Sequence, residues 1–399
     1  MNVVFISPNF PDSYKLFSVR LKENGVNVLG IGDAQFDELH PDLKVSLTEY
    51  YRVDSLEDYD AVSRACGYFT WRYGKIDWLE SNNEYWLEQD AQLRTDFNIT
   101  TGLKADEMKR FKHKSVMKEY YRKAGLTVAR GLLVSTGTEP EAVRAFAAEV
   151  GYPIVAKPDN GVGAIATYKL KDDADLAAFI TDIPTLAADY LMEEFVPGEV
   201  TTFDGVCNSQ GEVLLGISHI TPNSIMDMVN EHTTCWYYVD KQVPADIEAA
   251  GRAVLKTFGV KSRCFHLEFF RLTEAKKGLG EVGDIVALEV NMRPAGGYTT
   301  DMINFSQSTD IFAIWADMVC FDEVRRSFDG PKGYCVFVGR RDDTPYTMTH
   351  AEVQALAGNH AKLFTYMNNA MSTTMGNQVC IATYDTKEEM LDFVRAAIS

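Results

Sequence analysis

Features typical of secreted, membrane-spanning and zinc-stabilised proteins are scarce in this chain. Its seven cysteines are odd in number, scattered and without a C-x-x-C pair, which argues against a disulfide framework or a structural zinc site. Residues 1–10 contain no basic stretch ahead of a long apolar run, and no run of about 18 apolar residues occurs anywhere. We therefore expect a reduced, cytoplasmic location.

Positive charge is also scarce. The 39 Lys and Arg residues against 57 Asp and Glu residues give a formal net charge of −18. Because such a surface repels polyanions, we expect neither a nucleic acid nor a membrane as partner, and any bound phosphate must be met by a local cluster of cations or by a metal ion. A chain of 399 residues with 46% hydrophobic and 24% charged residues is long enough for two or three lobes of ordinary globular character.

The beginning of the chain predicts a small Rossmann-like lobe. Apolar runs at residues 3–6 and 26–31 have the length of buried strands, and a helical pattern over 12–23 lies between them. This alternation favours a parallel sheet with crossover helices. A G-x-G-x-x-G loop does not follow the first strand, so we do not expect a nicotinamide or flavin cofactor.

The remaining sequence predicts mixed α/β structure. A long polar helix is expected over 106–123, and a β-α-β-β-α-β order over 127–194. Further predicted elements are β-like runs at 201–207, 213–220, 264–272 and 285–291 and a helix over 387–397. Because the sequence contains no repeats or low-complexity linkers, we expect lobes in close contact.

The first chemical motif is IVAKPDNGVG, residues 154–163. Lys157 closes a predicted buried strand, and a loop with Gly161 and Gly163 follows it. Glycine lets backbone N–H groups approach phosphate oxygens, and the lysine adds a positive charge. By itself this pattern is more often structural than functional.

The second motif is CFHLEFF, residues 264–270. Strand periodicity places the aromatic and leucine side chains of 265, 267 and 269 on one face. It places His266 and Glu268 on the other face.

The third motif is VALEVNMR, residues 286–293. The same periodicity predicts that three side chains face a core, those of Val286, Leu288 and Val290. The opposite side is then expected to carry Glu289, Asn291 and Arg293.

The second and third motifs together suggest a metal-assisted phosphoryl-transfer site. Glu268, Glu289 and Asn291 supply the hard oxygen ligands that suit Mg²⁺, and Mg²⁺ also holds a triphosphate. Arg293 lies beside them and can stabilise charge on a transferring phosphoryl group. The alternative for either strand alone is an acidic outer face with Arg293 in a salt bridge. Both strands together, followed by Pro-Ala-Gly-Gly at 294–297, favour the phosphoryl-transfer site.

These segments resemble the ATP-grasp superfamily, and the resemblance covers most of the chain. IVAKPDNGVGA is similar to the family's second nucleotide lysine and mobile glycine loop, and LMEEFVPGE, residues 191–199, to the hinge strand that holds adenine. HLEFF and LEVNMRPAGG are similar to its paired metal-ligand strands. The resemblance therefore implies ATP together with Mg²⁺ or Mn²⁺.

The resemblance also implies roles for individual residues. Glu268, Glu289 and Asn291 would bind the metal ion. Arg293 would stabilise the acyl phosphate, and Lys157 would contact the phosphates of ATP. The nucleotide-binding residues would be Lys114, Lys157, Gly161, Gly163, Glu193, Glu194, Phe195, Val196 and Glu199.

Two positions depart from the family pattern. The first nucleotide lysine corresponds to Lys114 by its distance from Gly125, but Lys112 lies close by, and His113 stands where the family often has Asp. The acidic residue after the hinge is shifted by one position. Glu199 therefore either takes the ribose-binding role or leaves it unfilled.

The resemblance implies an α/β fold with a Rossmann-like lobe at 1–103, a two-lobed ATP-grasp domain at 104–320 with a mobile lid at about 127–194, and a C-terminal α/β segment at 321–399. It implies a ligase that activates a carboxylate as an acyl phosphate and joins it to an amine. Both substrates are expected to be small molecules. The resemblance is also compatible with a homo-oligomer. Similarity is greatest to carboxylate–amine ligases, including L-amino-acid ligases. The alternatives are a biotin-carboxylase-like enzyme that activates bicarbonate and a non-catalytic ATP-binding module.

Two substrate features stay open. The polar stretch 219–238 either lies over the acceptor pocket or forms a surface loop. His266 is either a neighbour of the metal-binding position or a substrate contact.

Overall fold

A computed structural model describes residues 1–161, 166–222, 234–367 and 372–399. Within these residues the strands form three sheets. The first is a four-stranded sheet in the N-terminal lobe, the second a four-stranded sheet in a small lobe, and the third a nine-stranded sheet that contains the rest.

The N-terminal lobe is a parallel sheet with helices packed around it, as its sequence predicts. Strand β1 lies between β2 and β4, with β3 at the edge beyond β2. The predicted helix over 12–23 begins as a short 3-10 turn, Asp12–Tyr14, before its α-helical part. The elements are β1 (Asn2–Ile6), α1 (Lys15–Glu23), β2 (Asn27–Gly32), α2 (Pro41–Ser46), β3 (Glu49–Arg52), α3 (Tyr59–Tyr73), β4 (Trp78–Glu80) and α4 (Leu87–Asp96).

The prediction of one long helix over 106–123 is wrong. The chain instead forms α5 (Lys109–Lys112) and α6 (Lys114–Lys123), with His113 between them in an extended conformation. The Asp159 carboxylate accepts the backbone N–H of Ser115 at 2.7 Å, and the Asp159 carbonyl accepts that of Lys114 at 3.0 Å. The start of α6 is therefore capped by a residue far along the chain.

The small lobe confirms the predicted β-α-β-β-α-β order. Its strands form an antiparallel sheet in the order β5-β8-β6-β7, with a hydrophobic core of its own around Phe146, Met192 and Phe179. The elements are β5 (Gly131–Val134), α7 (Pro140–Val150), β6 (Ile154–Pro158), β7 (Tyr168–Leu170), α8 (Asp173–Asp182) and β8 (Tyr190–Glu194).

The large sheet runs in the order β14-β13-β9-β11-β12-β15-β17-β16, with β10 paired to β9. Because β15 pairs with β12, the C-terminal segment extends this sheet. The elements are β9 (Gly198–Cys207), β10 (Val213–Ile217), β11 (His219–Thr221), β12 (Cys235–Val239), α9 (Ala245–Phe258), β13 (Arg263–Leu272), β14 (Ile285–Asn291), α10 (Thr299–Gln307), α11 (Ile311–Phe321), β15 (Tyr334–Arg340), α12 (His350–Ala357), β16 (Ala361–Tyr366), α13 (Ser372–Met375), β17 (Gln378–Tyr384) and α14 (Lys387–Ile398).

One predicted run divides in two. The run over 213–220 forms β10 and β11, which pair with different parts of β9. Strand β11 lies between β9 and β12 and so belongs to the continuous strand order, whereas β10 pairs with β9 outside that order. All seven cysteines are free. The described residues contain no helix long and apolar enough to cross a membrane.

An aromatic cluster joins the N-terminal lobe to the helices on the large sheet. The Phe17 ring lies with its centroid 5.8 Å from that of Phe5, 4.8 Å from that of Phe312 and 4.9 Å from that of Trp315. All four side chains are fully buried. Edge-to-face aromatic contacts and complete burial make this cluster a major source of stability between the two parts.

We predict that Phe17→Ala lowers the free energy of unfolding by about 3–5 kcal/mol, because it removes a buried ring and leaves a cavity. Urea denaturation followed by tryptophan fluorescence measures the change. Phe36→Ala is the matched control, since Phe36 is 47% exposed, and it should cost ~1 kcal/mol or less. Equal losses for the two variants would contradict this account of the cluster.

Candidate functional site

The acidic motifs meet across two paired strands. In the antiparallel register of β13 and β14, Glu268 lies opposite Glu289, and His266 lies opposite Asn291. The Asn291 amide donates to the Glu268 carboxylate at 3.4 Å. The predicted polar face is therefore formed, with two carboxylates and one side-chain amide side by side, groups whose oxygens suit Mg²⁺.

The prediction that Val286, Leu288 and Val290 all face the same core is wrong for the first half of β14. Phe269 pairs with Ala287, directly after the Glu268–Glu289 pair, so Leu288 is an extra residue in the strand. This β-bulge reverses the alternation on its N-terminal side. As a result Ala287 shares a core with Val290, whereas Val286 packs in a separate cluster.

Two lysines approach these strands from different lobes. Lys114 Nζ lies 3.1 Å from Glu289 Oε1 and 3.3 Å from the Gly161 carbonyl oxygen, to which it donates. Burial lowers the pKa of Lys157, but Glu193, Glu289 and Glu268 outweigh burial and hold the pKa above its ordinary value. The small lobe and the large sheet thus bring both lysines and both acidic strands into one electrostatic cluster.

Glu193 is the counter-charge of that cluster. Its carboxylate pairs with Lys157 at 2.5 Å and also contacts the ammonium group of Lys118. Burial raises the pKa of Glu193, but the two lysines outweigh it and lower the pKa to about 2. Lys118 also donates to the Ala129 carbonyl at 2.7 Å. Glu193 therefore neutralises lysines rather than projecting freely.

Lys112 points elsewhere. Its ammonium group lies 2.7 Å from Glu84 in the N-terminal lobe, so the structure places Lys114, and not Lys112, against the acidic strands. The other side of Glu84 lies 3.3 Å from Arg293 Nε. Burial raises the pKa of Glu84, but Arg293 and Lys112 outweigh it and hold the pKa below its usual value.

Part of this cluster lines a cavity of about 240 Å³. Its charged and polar walls include Glu84, His219, Glu268, Glu289, Asn291 and Arg293. A less polar wall is formed by Tyr237, Gly297 and Met375. A space of this size suits a small organic group.

The hinge residues lie at the end of β8, where the small lobe meets the large sheet. Glu194 is held by Arg130 in a two-point contact of 2.7 and 3.0 Å, and the Phe195 carbonyl accepts the Lys276 ammonium group at 2.5 Å. Val196 is buried beside the large sheet. The carboxylates of Glu193 and Glu194 are thus engaged by protein cations, and the Glu194 N–H donates to the Arg130 carbonyl at 3.1 Å.

Glu199 lies apart from the cluster. Its neighbour Val200 lines the cavity, so strand alternation directs Glu199 to the opposite face of β9. There it acts electrostatically on Tyr238 and Lys387.

Gly161 lines the cavity, whereas Gly163 lies outside the described residues. In the stretch 219–238, the cavity is lined by His219, Thr221, Cys235 and Tyr237, and residues 223–233 are not described.

A hydrogen-bonded group next to the acidic strands escaped sequence analysis. The Asp204 carboxylate on β9 lies 2.6 Å from His219 Nδ1 and 2.7 Å from His266 Nδ1. His266 Nε2 lies 2.8 Å from Glu268, and His266 also lines the cavity, so both interpretations of this residue stay open. Burial lowers the pKa of His266, but Asp204 and Glu268 outweigh it and raise the pKa to about 9. Asp204 could have been predicted from the sequence only by pairing the alternating side chains of β9 with those of β13, which places Asp204 opposite His266.

Comparison with known proteins supports the same architecture. No protein-family model matches the chain. A solved L-amino acid ligase from Bacillus licheniformis is 16% identical with a TM-score of 0.71, over 99% of this chain and 96% of that one. An N5-carboxyaminoimidazole synthetase from Staphylococcus aureus is 12% identical with a TM-score of 0.72, over 100% and 97% of the two chains. The chain has the ATP-grasp fold.

A third structure with this fold belongs to a different kind of enzyme. The biotin carboxylase domain of a 2-oxoglutarate carboxylase from Hydrogenobacter thermophilus, solved with MgADP and bicarbonate, is 15% identical with a TM-score of 0.68. The similarity covers 99% of this chain and 89% of that one. At these identities the comparisons establish the ATP-grasp fold, and the choice of substrate depends on the site itself.

The charge state of Glu193 gives a testable pH dependence. Its pKa in the folded protein, about 2, lies below the ordinary value of 4.5. Its contribution to stability is therefore complete above pH 4.5 and is lost as the pH falls towards 2. We predict that Glu193→Gln destabilises the protein most at neutral pH, with a smaller difference from the wild type at about pH 3.

Urea denaturation of both proteins across this pH range measures that difference. Glu119→Gln is the control, because Glu119 is exposed on α6. A Glu193→Gln effect that does not change with pH would contradict the ion-pair assignment.

Proposed function

We propose that the chain is an ATP-dependent ligase that activates a carboxylate as an acyl phosphate and joins it to an amine, with release of ADP and phosphate. The observation that carries this proposal is the convergence of Glu268, Glu289 and Asn291 with Lys114 and Lys157 beside a small cavity that also holds Arg293. Simple binding of ATP does not require an arginine and an empty acyl-sized space next to the metal ligands.

Glu268, Glu289 and Asn291 would hold Mg²⁺ or Mn²⁺. When bound there, the metal would offset the negative charge of the triphosphate. The fit depends on the cross-strand pair, since Glu268 and Glu289 are directly opposite in the register and the Asn291 amide lies within reach of Glu268.

Lys114 and Lys157 would contact the phosphates, and the segment from Glu193 to Val196 would hold adenine. Both lysines are buried or nearly so and already interact with carboxylates, so each is positioned before a ligand enters. The backbone of the hinge would meet the base, because the carboxylates of Glu193 and Glu194 are held by lysines and arginine. Gly161 would let the loop after β6 approach the phosphates closely.

Arg293 would steady the phosphoryl group during transfer. It lies on the cavity wall, with its Nε 3.3 Å from Glu84 and its guanidinium donating to the Pro294 carbonyl at 2.8 Å. These contacts fix the side chain before the reaction. A prepositioned cation next to the attacking carboxylate lowers the barrier by orientation and by charge stabilisation.

The substrates are proposed to be small. The cavity of about 240 Å³ suits an amino acid or a small acid. The L-amino acid ligase among the solved structures supports an amino acid as one partner. Bicarbonate is the alternative that the biotin carboxylase domain favours, because that structure was solved with bicarbonate and MgADP.

We predict that Glu289→Ala reduces ATP turnover at least about 10²-fold, because it removes both a metal ligand and the partner of Lys114. The measurement is phosphate release with Mg-ATP and the common L-amino acids, singly and in pairs. Glu119→Ala, at an exposed position of α6, should keep wild-type turnover. A melting curve for each variant checks that loss of activity does not reflect loss of fold.

Two results would decide against parts of this proposal. Full ATP turnover in Glu289→Ala would refute the metal site. Turnover with bicarbonate alone, without any amino acid, would replace the ligase by a bicarbonate-activating carboxylase.

A further inference from the structure

Two histidines, His219 and His266, line the cavity, and the phosphoryl transfer proposed above assigns no role to either of them. His219 lines the cavity, with 10% of its side chain exposed, and stacks on His266 with ring centroids 5.4 Å apart. His266 in turn contacts Glu268. One stacked ring therefore separates His219 from a proposed metal ligand, and His219 lines the same cavity as that ligand.

A hydrogen-bond chain fixes the orientation of His219. Its Nδ1 lies 2.6 Å from an Asp204 oxygen, and Asp204 is 1% exposed. The Thr202 hydroxyl donates to the same oxygen at 2.6 Å and accepts the backbone N–H of His219 at 3.0 Å. Because a buried carboxylate only accepts, Nδ1 carries the proton. The Nδ1 edge of the ring is thus held by Asp204, and His219 as a whole lines the cavity.

We propose that His219 is the general base that accepts the proton of the attacking amine, and that Asp204 is its positioning residue. This inference rests on the proposed ligase function. The geometry is that of a base whose tautomer is set by a buried carboxylate, as in other base–carboxylate pairs.

The step balances as follows. The amine nitrogen attacks the acyl carbon, a C–N bond forms, and the C–O bond to phosphate breaks with its electron pair leaving on phosphate. The proton that the nitrogen loses passes to His219 Nε2, and Asp204 offsets the charge of the imidazolium ion. The leaving phosphate then takes up a proton, which returns His219 to its neutral form.

A metal site is the competing assignment for the same residues. Asp204, His219 and His266 each offer a ligand atom, and these atoms lie within 4.8 Å of one another. However, each Nδ1 is directed at a different oxygen of one carboxylate at 2.6 or 2.7 Å, which is the geometry of two N–H donors and one acceptor. Metal binding requires both nitrogens to present lone pairs to a shared point.

The functional test separates the two half-reactions. Wild type, His219→Asn and the control His360→Asn, which changes an exposed histidine, are incubated with Mg-ATP and a mixture of the common L-amino acids. Hydroxylamine, which is uncharged at neutral pH, traps the acyl phosphate without a base. We expect His219→Asn to lower dipeptide formation about 10²-fold relative to hydroxamate formation, when each rate is compared with that of the wild type.

Each outcome of this assay bears on one of the two proposals. Equal loss of hydroxamate and dipeptide, or undiminished dipeptide formation, would overturn the role of His219 while the ligase function stands. A wild-type protein that makes neither ADP nor hydroxamate would overturn the ligase function for amino acids and the inference with it.

A second test needs no substrate. Nitrogen-15 NMR of histidine-labelled protein should show His219 with protonated Nδ1 and unprotonated Nε2 at neutral pH, and Asp204→Asn should abolish that preference. A proton on Nε2 in the wild type would overturn the proposal. So would stoichiometric zinc binding that is lost in His219→Asn.

Discussion

Glu80, at the end of β4, is held between two arginines in the interior of the protein. One carboxylate oxygen lies 3.0 Å from Arg94, and the other lies 3.4 Å from Arg263 on β13. Arg263 also donates to the Met292 carbonyl at 2.7 Å, directly before Arg293. Because all three side chains are about 1% exposed, loss of one partner would leave a buried charge, at a cost of about 3–5 kcal/mol. This cluster fixes the N-terminal lobe against the acidic strands, and the cavity between them depends on that attachment.

Local alternation accounted for most of the candidate site. In β13, period two placed Glu268 and His266 on one face, because this strand pairs with β9 in an unbroken register. In β14 the same rule found Glu289 and Asn291 but failed at Val286, since one additional residue, Leu288, shifts the register. A β-bulge depends on how two strands pair, and a single strand's pattern contains no record of it.

Contacts between distant segments account for what sequence patterns missed. The helix predicted over 106–123 has suitable composition, but Asp159 caps α6 from across the lobe and turns the chain at His113. That turn decides which lysine faces the acidic strands. Asp204 joined the site for a similar reason, because only the pairing of β9 with β13 places it opposite His266.

The pairing of Lys114 with Glu289 has a thermodynamic consequence for ligand binding. Lys114 can turn to a phosphate at little cost only when a cation takes its place beside Glu289, because the partly buried Glu289 carboxylate would otherwise lie unpaired opposite Glu268. Mg²⁺ and nucleotide would therefore bind with positive cooperativity, and each would raise the affinity of the other by the same factor. In the proposed site, the Lys114–Glu289 ion pair would therefore couple the binding of the metal ion to that of the nucleotide.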